Sequence, residues 1–281
     1  MAYYDLPEGF VTAGEAAAHL LNGEHLKDYT PTGLCAVDSI MGGLRKGNLI
    51  LLAGRPGMGK TQFSLNIAYN AAKASGKKAV FVSYECSSEQ IASRALWMLT
   101  GISPSVIQGH YGTPLDTLKQ RITDAANELG DTPLIVHSAD IQTVGQLKND
   151  LMDIDDIGLV VIDYLQLLET ERKLESRIAG IKDILAQLKL TAKELNVPII
   201  VNCQIGRMCE NRSDKRPFLT DIGYGGIVDR YADDILFLYK ESYYREDYDE
   251  DTPGECIIAK SHNGITGIAK WRFKEGKYTD V

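Results

Sequence analysis

The 281-residue chain is 44% hydrophobic and 24% charged, as expected of a globular protein that can bury a full core. Its formal net charge of −8 argues against a broad, sequence-independent hold on nucleic acid, although a narrow basic channel inside an assembly stays compatible with it. No apolar stretch approaches the ~18 residues that cross a bilayer, and the N-terminus lacks a signal-peptide pattern, so we expect a cytoplasmic protein without membrane contact.

The first 29 residues are predicted to be an extension that precedes a single domain at residues 30–281. Thr12 and Glu15 have the spacing of a helix capping box, which predicts a short helix over AGEAAAHLL with Gly23 as its stop. Because so short a helix is marginal alone in water, we expect it to pack either on its own domain or on a neighbouring subunit.

From Leu34 onward, apolar runs alternate with stretches of helical periodicity such as QFSLNIAYNAAKASG and IAGIKDILAQLKLTAKEL. The runs are apolar throughout, as in parallel strands covered on both faces: NLILLA (48–53), KAVFVSY (78–84), PLIVHS (133–138), GLVVIDY (158–164) and PIIVNC (198–203). This alternation predicts an α/β fold with a doubly wound, mostly parallel sheet. ADDILFLYK and GECIIAKSHNGITGIAKWRF predict further strands, including a C-terminal antiparallel hairpin that turns at Asn263-Gly264.

A phosphate-binding loop is predicted where GRPGMGKT matches G-x-x-x-x-G-K-[ST] between a predicted strand and a predicted helix. Its glycines let backbone N–H groups turn toward a phosphate, and the helix N-terminus adds partial positive charge. Lys60 is expected to neutralise the β- and γ-phosphates of ATP, and the Thr61 hydroxyl to bind Mg²⁺. The predicted nucleotide contacts are Gly54, Arg55, Pro56, Gly57, Met58, Gly59, Lys60 and Thr61.

Three polar residues follow other predicted strands and complete the predicted catalytic site. Asp163 ends GLVVI, where a carboxylate beside the phosphate loop is expected to hold a Mg²⁺-bound water. Glu85 follows KAVFVSY and is the candidate general base, with a solvated loop glutamate as the alternative. Gln204 follows PIIVNC, from where it could hydrogen-bond the γ-phosphate or the attacking water.

Further short motifs follow the phosphate loop along the chain: SYECSSEQ around Glu85, IDYLQLL (162–168), AKELNVP (192–198), the Gln-x-x-Arg of Gln204 to Arg207, DKRP (214–217) and the Asn263-Gly264 turn. From about Thr32 to the C-terminus, their content and order resemble the DnaB family of replicative helicases. The resemblance implies a RecA-like P-loop NTPase with Glu85 as catalytic base, Asp163 as Walker-B acid and Gln204 as γ-phosphate sensor. It also implies a hexameric ring around single-stranded DNA with ATP at each subunit boundary.

Three departures from the family's pattern bear on function. We expect no counterpart of the family's large N-terminal helical domain, which helps to organise the ring and recruits primase, in the 29 residues before the predicted domain. The family's R-E-S-G loop, which touches the DNA backbone, is Gly223-Tyr224-Gly225-Gly226. The family's K-x-R carries a trans-acting arginine finger, but this chain has Lys260-Ser261-His262. A neutral imidazole does not replace a guanidinium at the γ-phosphate, and Lys260 is left as a partial substitute.

Two hypotheses of different classes follow. The first is an ATP-hydrolysing helicase or translocase of DnaB type, 5′ to 3′ by resemblance, that forms a homo-oligomer on single-stranded DNA in replication with a loader or primase as further partner. The second is a degenerate ATPase or scaffold that binds nucleotide and partner proteins without translocating. A strand-exchange recombinase shares the core but lacks IDYLQLL and AKELNVP. The candidate DNA contacts are Arg207, Arg216, Gly223 and Gly226, with a solvated loop as the alternative for the arginines.

Overall fold

The structure is a computed structural model that describes residues 7, 11–22, 29–109, 116–138, 140, 142–245, 252–262 and 264–281. The helices are α1 (Ala13–Leu21), α2 (Cys35–Met41), α3 (Lys60–Ser75), α4 (Ser88–Thr100), α5 (Pro104–Ile107), α6 (Asp116–Asp131), α7 (Val144–Met152), α8 (Arg177–Leu195) and α9 (Val228–Tyr231). The strands are β1 (Tyr29–Thr30), β2 (Leu44–Arg45), β3 (Leu49–Gly54), β4 (Lys78–Ser83), β5 (Leu134–Ser138), β6 (Ile157–Asp163), β7 (Ile199–Gln204), β8 (Asp234–Tyr239), β9 (Gly254–Lys260), β10 (Gly267–Lys274) and β11 (Lys277–Asp280).

One nine-stranded sheet organises the domain, in the order β11-β10-β9-β8-β3-β7-β6-β4-β5. The six strands from β8 to β5 are parallel to their neighbours, whereas β9, β10 and β11 pair antiparallel. This arrangement confirms the predicted α/β class with a mostly parallel sheet and a C-terminal antiparallel hairpin. Gly264 lies in the predicted turn, while Asn263 falls outside the described residues.

Helices cover both faces of the parallel part of the sheet, which explains why its strands are apolar throughout. One buried cluster joins the sheet to α7 and α8, and a second joins the opposite face to α2, α3 and α4. Phe63 on α3 and Leu185 on α8 have no exposed surface, so each helix buries a continuous stripe against the strands. The predicted doubly wound architecture is confirmed.

Side-chain caps and left-handed residues set the helix ends. Ser87 and Gln90 form a capping box at the start of α4, and Thr143 and Gln146 form another at the start of α7. The predicted capping box at Thr12 is formed as well, since Glu15 N–H donates to Thr12 Oγ1 at 3.2 Å. Gly23, the predicted stop of α1, falls outside the described residues. None of the described helices is long and apolar enough to cross a membrane.

Strand β11 is not predicted from the sequence, because its four residues do not form a continuous apolar run and it lies at the edge of the sheet. It nevertheless holds two distant parts of the domain in place. The Asp280 carboxylate accepts hydrogen bonds from the N–H groups of Cys35 (2.7 Å) and Ala36 (2.9 Å) at the start of α2. Tyr278 is 3% exposed and packs edge-on against the Phe63 ring of α3.

Candidate nucleotide site and its surroundings

The predicted phosphate loop connects the carboxyl end of β3 to the amino end of α3, so its N–H groups lie at a helix N-terminus. Gly57 (φ 81°) and Gly59 (φ 86°) both have left-handed backbone conformations that side chains with a Cβ adopt at a cost. A cavity of about 270 Å³ opens beside the loop. Its lining residues are Pro56, Gly57, Gly59, Lys60, Thr61, Gln62, Glu85, Arg94, Asp163, Tyr164 and Gln204.

Gly59 is also required by a close contact with β11. The Tyr278 hydroxyl donates a hydrogen bond to the Gly59 carbonyl at 3.2 Å, and a Cβ on Gly59 would overlap that hydroxyl. Because Tyr278 is buried, it has little freedom to move aside. The C-terminal strand therefore supports the phosphate loop from behind.

We expect Gly59→Ala to lower the free energy of unfolding by about 2–4 kcal/mol, the sum of left-handed backbone strain and overpacking. Gly76→Ala is the matched control, because Gly76 is also left-handed (φ 69°) but has open space around its Cβ position. The Gly59 substitution should cost less in a Tyr278→Phe background, which lacks the obstructing hydroxyl. Denaturant unfolding of the four variants measures these differences. Equal costs at Gly59 and Gly76 would mean that Tyr278 does not crowd the loop.

Lys60 lies inside the loop that it is predicted to serve. Its Nζ donates hydrogen bonds to the carbonyls of Gly54 (3.0 Å) and Arg55 (3.1 Å). Burial lowers the pKa of Lys60, and the nearby Asp163 carboxylate opposes that shift. A bound phosphate would favour the charged form of Lys60 in the same way as the Asp163 carboxylate does, so an anion in the loop would also raise the pKa of Lys60.

Thr61 and Asp163, the two predicted metal residues, are in direct contact. The Thr61 hydroxyl donates to Asp163 Oδ2 at 2.7 Å, although the residues are 102 positions apart. Asn202 Nδ2 donates to the other oxygen, Oδ1, at 2.9 Å and to Ser64 Oγ at 3.0 Å. Asp163 is 2% exposed, so these hydrogen bonds compensate for the desolvation of its carboxylate. The signal for Asn202 in the sequence is an amide within an apolar strand.

Glu85 and Gln204 line the same cavity from β4 and β7. Gln204 is the register partner of Gly54, which sets it directly beside the start of the phosphate loop. Gln166 holds the Gln204 backbone, since its Nε2 donates to the Gln204 carbonyl at 2.9 Å and its Oε1 accepts from the Gln204 N–H at 3.3 Å. Gln166 belongs to IDYLQLL, but the sequence does not predict this role. A local pattern in one segment does not show which residue of another strand its side chain contacts.

Arg94 is a second cation on the cavity wall that the sequence analysis missed. It lies on α4, and the capping box at Ser87 fixes where that helix begins. Together with Lys60 it balances the Glu85 and Asp163 carboxylates. The sequence does contain a signal for Arg94. It lies about two turns into α4, which begins just after Glu85, and a residue two turns into a helix lies on the same face as the start of that helix.

Lys260 and His262 lie at the opposite end of the sheet from the phosphate loop of their own chain. Lys260 is the register partner of Ile235, at the amino end of β8. Its Nζ donates to the carbonyls of Asp229 and Ala232, both at 2.6 Å. The His262 side chain is exposed. The structure therefore does not bring these two residues to the cavity, and any action on a nucleotide requires a second subunit.

The predicted DNA contacts are divided between exposed and paired groups. Arg207 is exposed in a 3-10 turn directly after β7. Arg216 Nε and Nη2 each donate to the Glu255 carboxylate at 2.7 Å, which raises the pKa of Arg216. Gly223 (φ 80°) and Gly226 (φ 73°) are left-handed with open space around their Cβ positions. At Gly223 an arginine would be strained even though it would fit.

The loop residues fit a nucleotide phosphate, and Thr61 and Asp163 fit a hard cation. Left-handed Gly57 and Gly59 shape a cradle of N–H groups, while Lys60 donates to loop carbonyls from inside it. Within the described part of the chain, no group of three or more His, Cys, Asp or Glu side chains could hold a metal ion. A Mg²⁺ would therefore take only one or two protein oxygens here, as is usual for this ion beside phosphates.

Residues 30–280 match the family described as DnaB-like helicase C terminal domain. The "Probable replicative DNA helicase" of Trieres chinensis is 38% identical over 258 residues, which cover 88% of this chain and 56% of that protein. A solved structure described as an ATPase domain superposes with a TM-score of 0.89 at 27% identity and covers 98% of this chain and 100% of that one.

A second solved structure, described as a DnaB-like replicative helicase and its interactions with primase, gives a TM-score of 0.86 at 27% identity. It covers 97% of this chain and 67% of that one. The chain spans about half the length of the curated relatives that it matches.

Proposed function

The chain belongs to the family of DnaB-like helicase C-terminal domains, and on that premise we propose that it is an ATP-hydrolysing motor that acts on single-stranded DNA in replication. The observation that supports the proposal most is one cavity lined by five predicted site residues: Lys60 and Thr61 at the start of α3, Glu85 after β4, Asp163 at the end of β6 and Gln204 at the end of β7. Relatives with replicative helicase names support the same activity class. The 5′ to 3′ direction and the hexameric ring are proposed from the resemblance alone.

In the proposed mechanism, the phosphate loop N–H groups and Lys60 hold the β- and γ-phosphates of ATP. Thr61 would hold Mg²⁺ through its hydroxyl and Asp163 would hold it through a bound water, and the ion would supply positive charge against the phosphate oxygens. Glu85 accepts the proton of the attacking water, and Gln204 donates a hydrogen bond beside the γ-phosphate. Because Gln166 holds both backbone groups of Gln204, the backbone that carries this side chain is fixed before ATP enters.

A second candidate, a nucleotide-binding scaffold that does not translocate, is favoured by the state of the DNA-side cations. The candidate DNA contact Arg216 is paired with Glu255 at 2.7 Å, and Arg212, four residues earlier in the same segment, is paired with Asp221 at 2.6 Å. The loop from Gly223 to Gly226 offers no cationic side chain. Among the four candidate DNA contacts, the remaining cation is Arg207, whose side chain is exposed. If the protein translocates, we expect its hold on DNA to depend on few phosphate contacts, and primase or a loader to be a further partner.

We expect ATP turnover to rise when single-stranded DNA is added to the assembled protein, with weak and salt-dependent binding. Each phosphate contact contributes roughly 0.7 to the slope of log affinity against log salt, so two or three contacts give a slope of about 1.5–2. Arg207→Ala should lower that slope by about 0.7. Arg272→Ala, an exposed arginine on β10, is the matched control.

Turnover, molecular size and DNA affinity measured in the same buffers separate the two candidates. Nucleotide binding with neither DNA affinity nor DNA-stimulated turnover would favour the scaffold. Tight binding that is indifferent to salt would contradict the small number of phosphate contacts proposed for the motor.

A further inference from the structure

A second cavity, of about 380 Å³, lies at the end of the sheet opposite the phosphate loop. Its walls come from the turn between β2 and β3, from α8 and from His262. The charged groups that line it are Arg45, Lys46, Lys189, Lys193 and Asp233. In a chain with a net charge of −8, this is a local concentration of cations, and His262 lies among them.

The turn that carries Arg45 is fixed to the segment that carries His262. Asn48 N–H donates to the Arg45 carbonyl at 3.1 Å and closes the turn. The Asn48 side chain then donates to Asp234 Oδ2 at 3.0 Å. The other oxygen of the same carboxylate, Oδ1, accepts from the His262 N–H at 2.8 Å. Arg45 and His262 are therefore presented side by side on one rigid surface.

Most cations near this surface are already engaged, and Arg45 differs from them. Lys189 Nζ donates to the Asp233 carboxylate at 2.5 Å, so this pair contributes no net charge. Lys260 Nζ is held by two backbone carbonyls. The Arg45 side chain is exposed, and among the residues that the structure describes no hydrogen bond or ion pair engages its guanidinium. A guanidinium offers five N–H donors and keeps its charge at any physiological pH.

Arg45 is out of reach of the phosphate loop of its own chain. Strand β3 runs from Leu49, beside the cationic cavity, to Gly54, at the phosphate loop, and spans about 17 Å at 3.3 Å per residue. The cationic cavity and the nucleotide cavity would be complementary in charge once ATP is bound. A nucleoside triphosphate adds more negative charge than Lys60 and Arg94 balance. A second copy of the chain, placed head to tail, would bring the cationic end to that charge.

We propose that Arg45 is the guanidinium that this chain presents to the nucleotide bound by a second copy, where it stabilises the charge that develops on the γ-phosphate oxygens. The inference rests on the proposed ATPase function and names the residue that acts where His262 cannot. Arg45 forms no covalent bond in this role, and its contribution is electrostatic. Lys193 lines the same cavity and adds positive charge beside it.

Arg45→Ala tests the role in the assembled protein. Guanidinium groups supplied by a neighbour contribute about 10³–10⁵ in rate, and since Lys193 remains in the cavity, we expect turnover to fall at least about a hundredfold. ATP affinity should stay close to that of the parent, because the phosphate loop is unchanged, and this affinity also reports that the variant is folded. Arg45→Lys should recover only part of the loss, and Arg272→Ala should turn over at the parental rate.

A mixing experiment separates action across a subunit boundary from action within one chain. One chain carries Arg45→Ala and keeps its nucleotide site, and the other carries Lys60→Ala and keeps Arg45. Each variant alone is expected to assemble with little or no turnover. In an equal mixture, about one boundary in four joins an intact nucleotide site to an intact Arg45, and turnover should return there.

Recovery in the mixture supports the proposal. A parental rate in Arg45→Ala overturns it and leaves the proposed ATPase function standing. A lost rate that does not return in mixed assemblies, with size and ATP affinity unchanged, shows that Arg45 does not act across the boundary and overturns it as well. A parent protein that assembles and binds ATP without hydrolysing it overturns the proposed function first, and this inference with it.

Discussion

Replacing Glu85 with glutamine should reduce ATP turnover by about 10²–10⁴-fold, the usual contribution of a general base, while ATP affinity stays near the parental value. Glutamine keeps the length and polarity of the side chain but does not accept the proton of the attacking water. The binding groups, Lys60 and the loop N–H groups, are unchanged by the substitution. Single-turnover kinetics separates the chemical step from nucleotide binding and product release.

The matched control for this experiment is Glu89→Gln. Glu89 is an exposed glutamate four residues later, in the first turn of α4, and its carboxylate accepts a hydrogen bond from Ser87 at 2.6 Å. It does not line the cavity, so its substitution should leave turnover at the parental rate. If Glu85→Gln also turns over at that rate, another residue is the base.

Replacing Lys60 with alanine should weaken ATP binding by two orders of magnitude or more, which corresponds to about 2.7 kcal/mol or more. The buried ammonium group lies inside the phosphate loop, where charge is little screened. The fold should survive, because the Gly54 and Arg55 carbonyls that lose the Lys60 hydrogen bonds still accept from the N–H groups of Ile205 and Met58, both at 3.3 Å. Calorimetric titration with ATP measures the affinity, and circular dichroism checks the fold.

Lys73→Ala is the control on the same helix. Lys73 lies in the last turn of α3 and pairs at the surface with Glu128 at 2.5 Å. Its removal should leave ATP affinity unchanged, because it is remote from the loop. Parental affinity in Lys60→Ala would refute the assignment of residues 54–61 as the phosphate site.

The parallel core of the fold could be predicted because each of its strands has a local signature. An apolar run such as GLVVI reports burial on both faces without reference to any other part of the chain. The short strand β11 has no such signature, since only two of its four residues, Tyr278 and Asp280, make the contacts that matter. Its place is decided by edge pairing with β10, which is a tertiary property.

The candidate site divides in the same way. Lys60, Thr61, Asp163 and Gln204 follow strand ends, and the carboxyl ends of parallel strands meet at one edge, so their convergence was predictable. The groups that orient them were not. Asn202 holds Asp163 from the neighbouring strand, and Gln166 holds the backbone of Gln204 across 38 positions of sequence. Such contacts depend on which strands are neighbours in the sheet. Local sequence patterns predict the strands but do not predict their order.

The hydrogen bond from Tyr278 to Gly59 links residues 219 positions apart and therefore has a consequence for synthesis. Strands β3 and β4 and the helix α3 between them leave the ribosome long before β11, and domains begin to fold as they emerge. The loop at residues 54–61 gains its rear support only when residue 278 has been translated and has left the exit tunnel. A nascent chain that has exposed residues 54–61 but not yet residue 278 thus has the complete loop sequence without the hydrogen bond that supports the Gly59 carbonyl from behind.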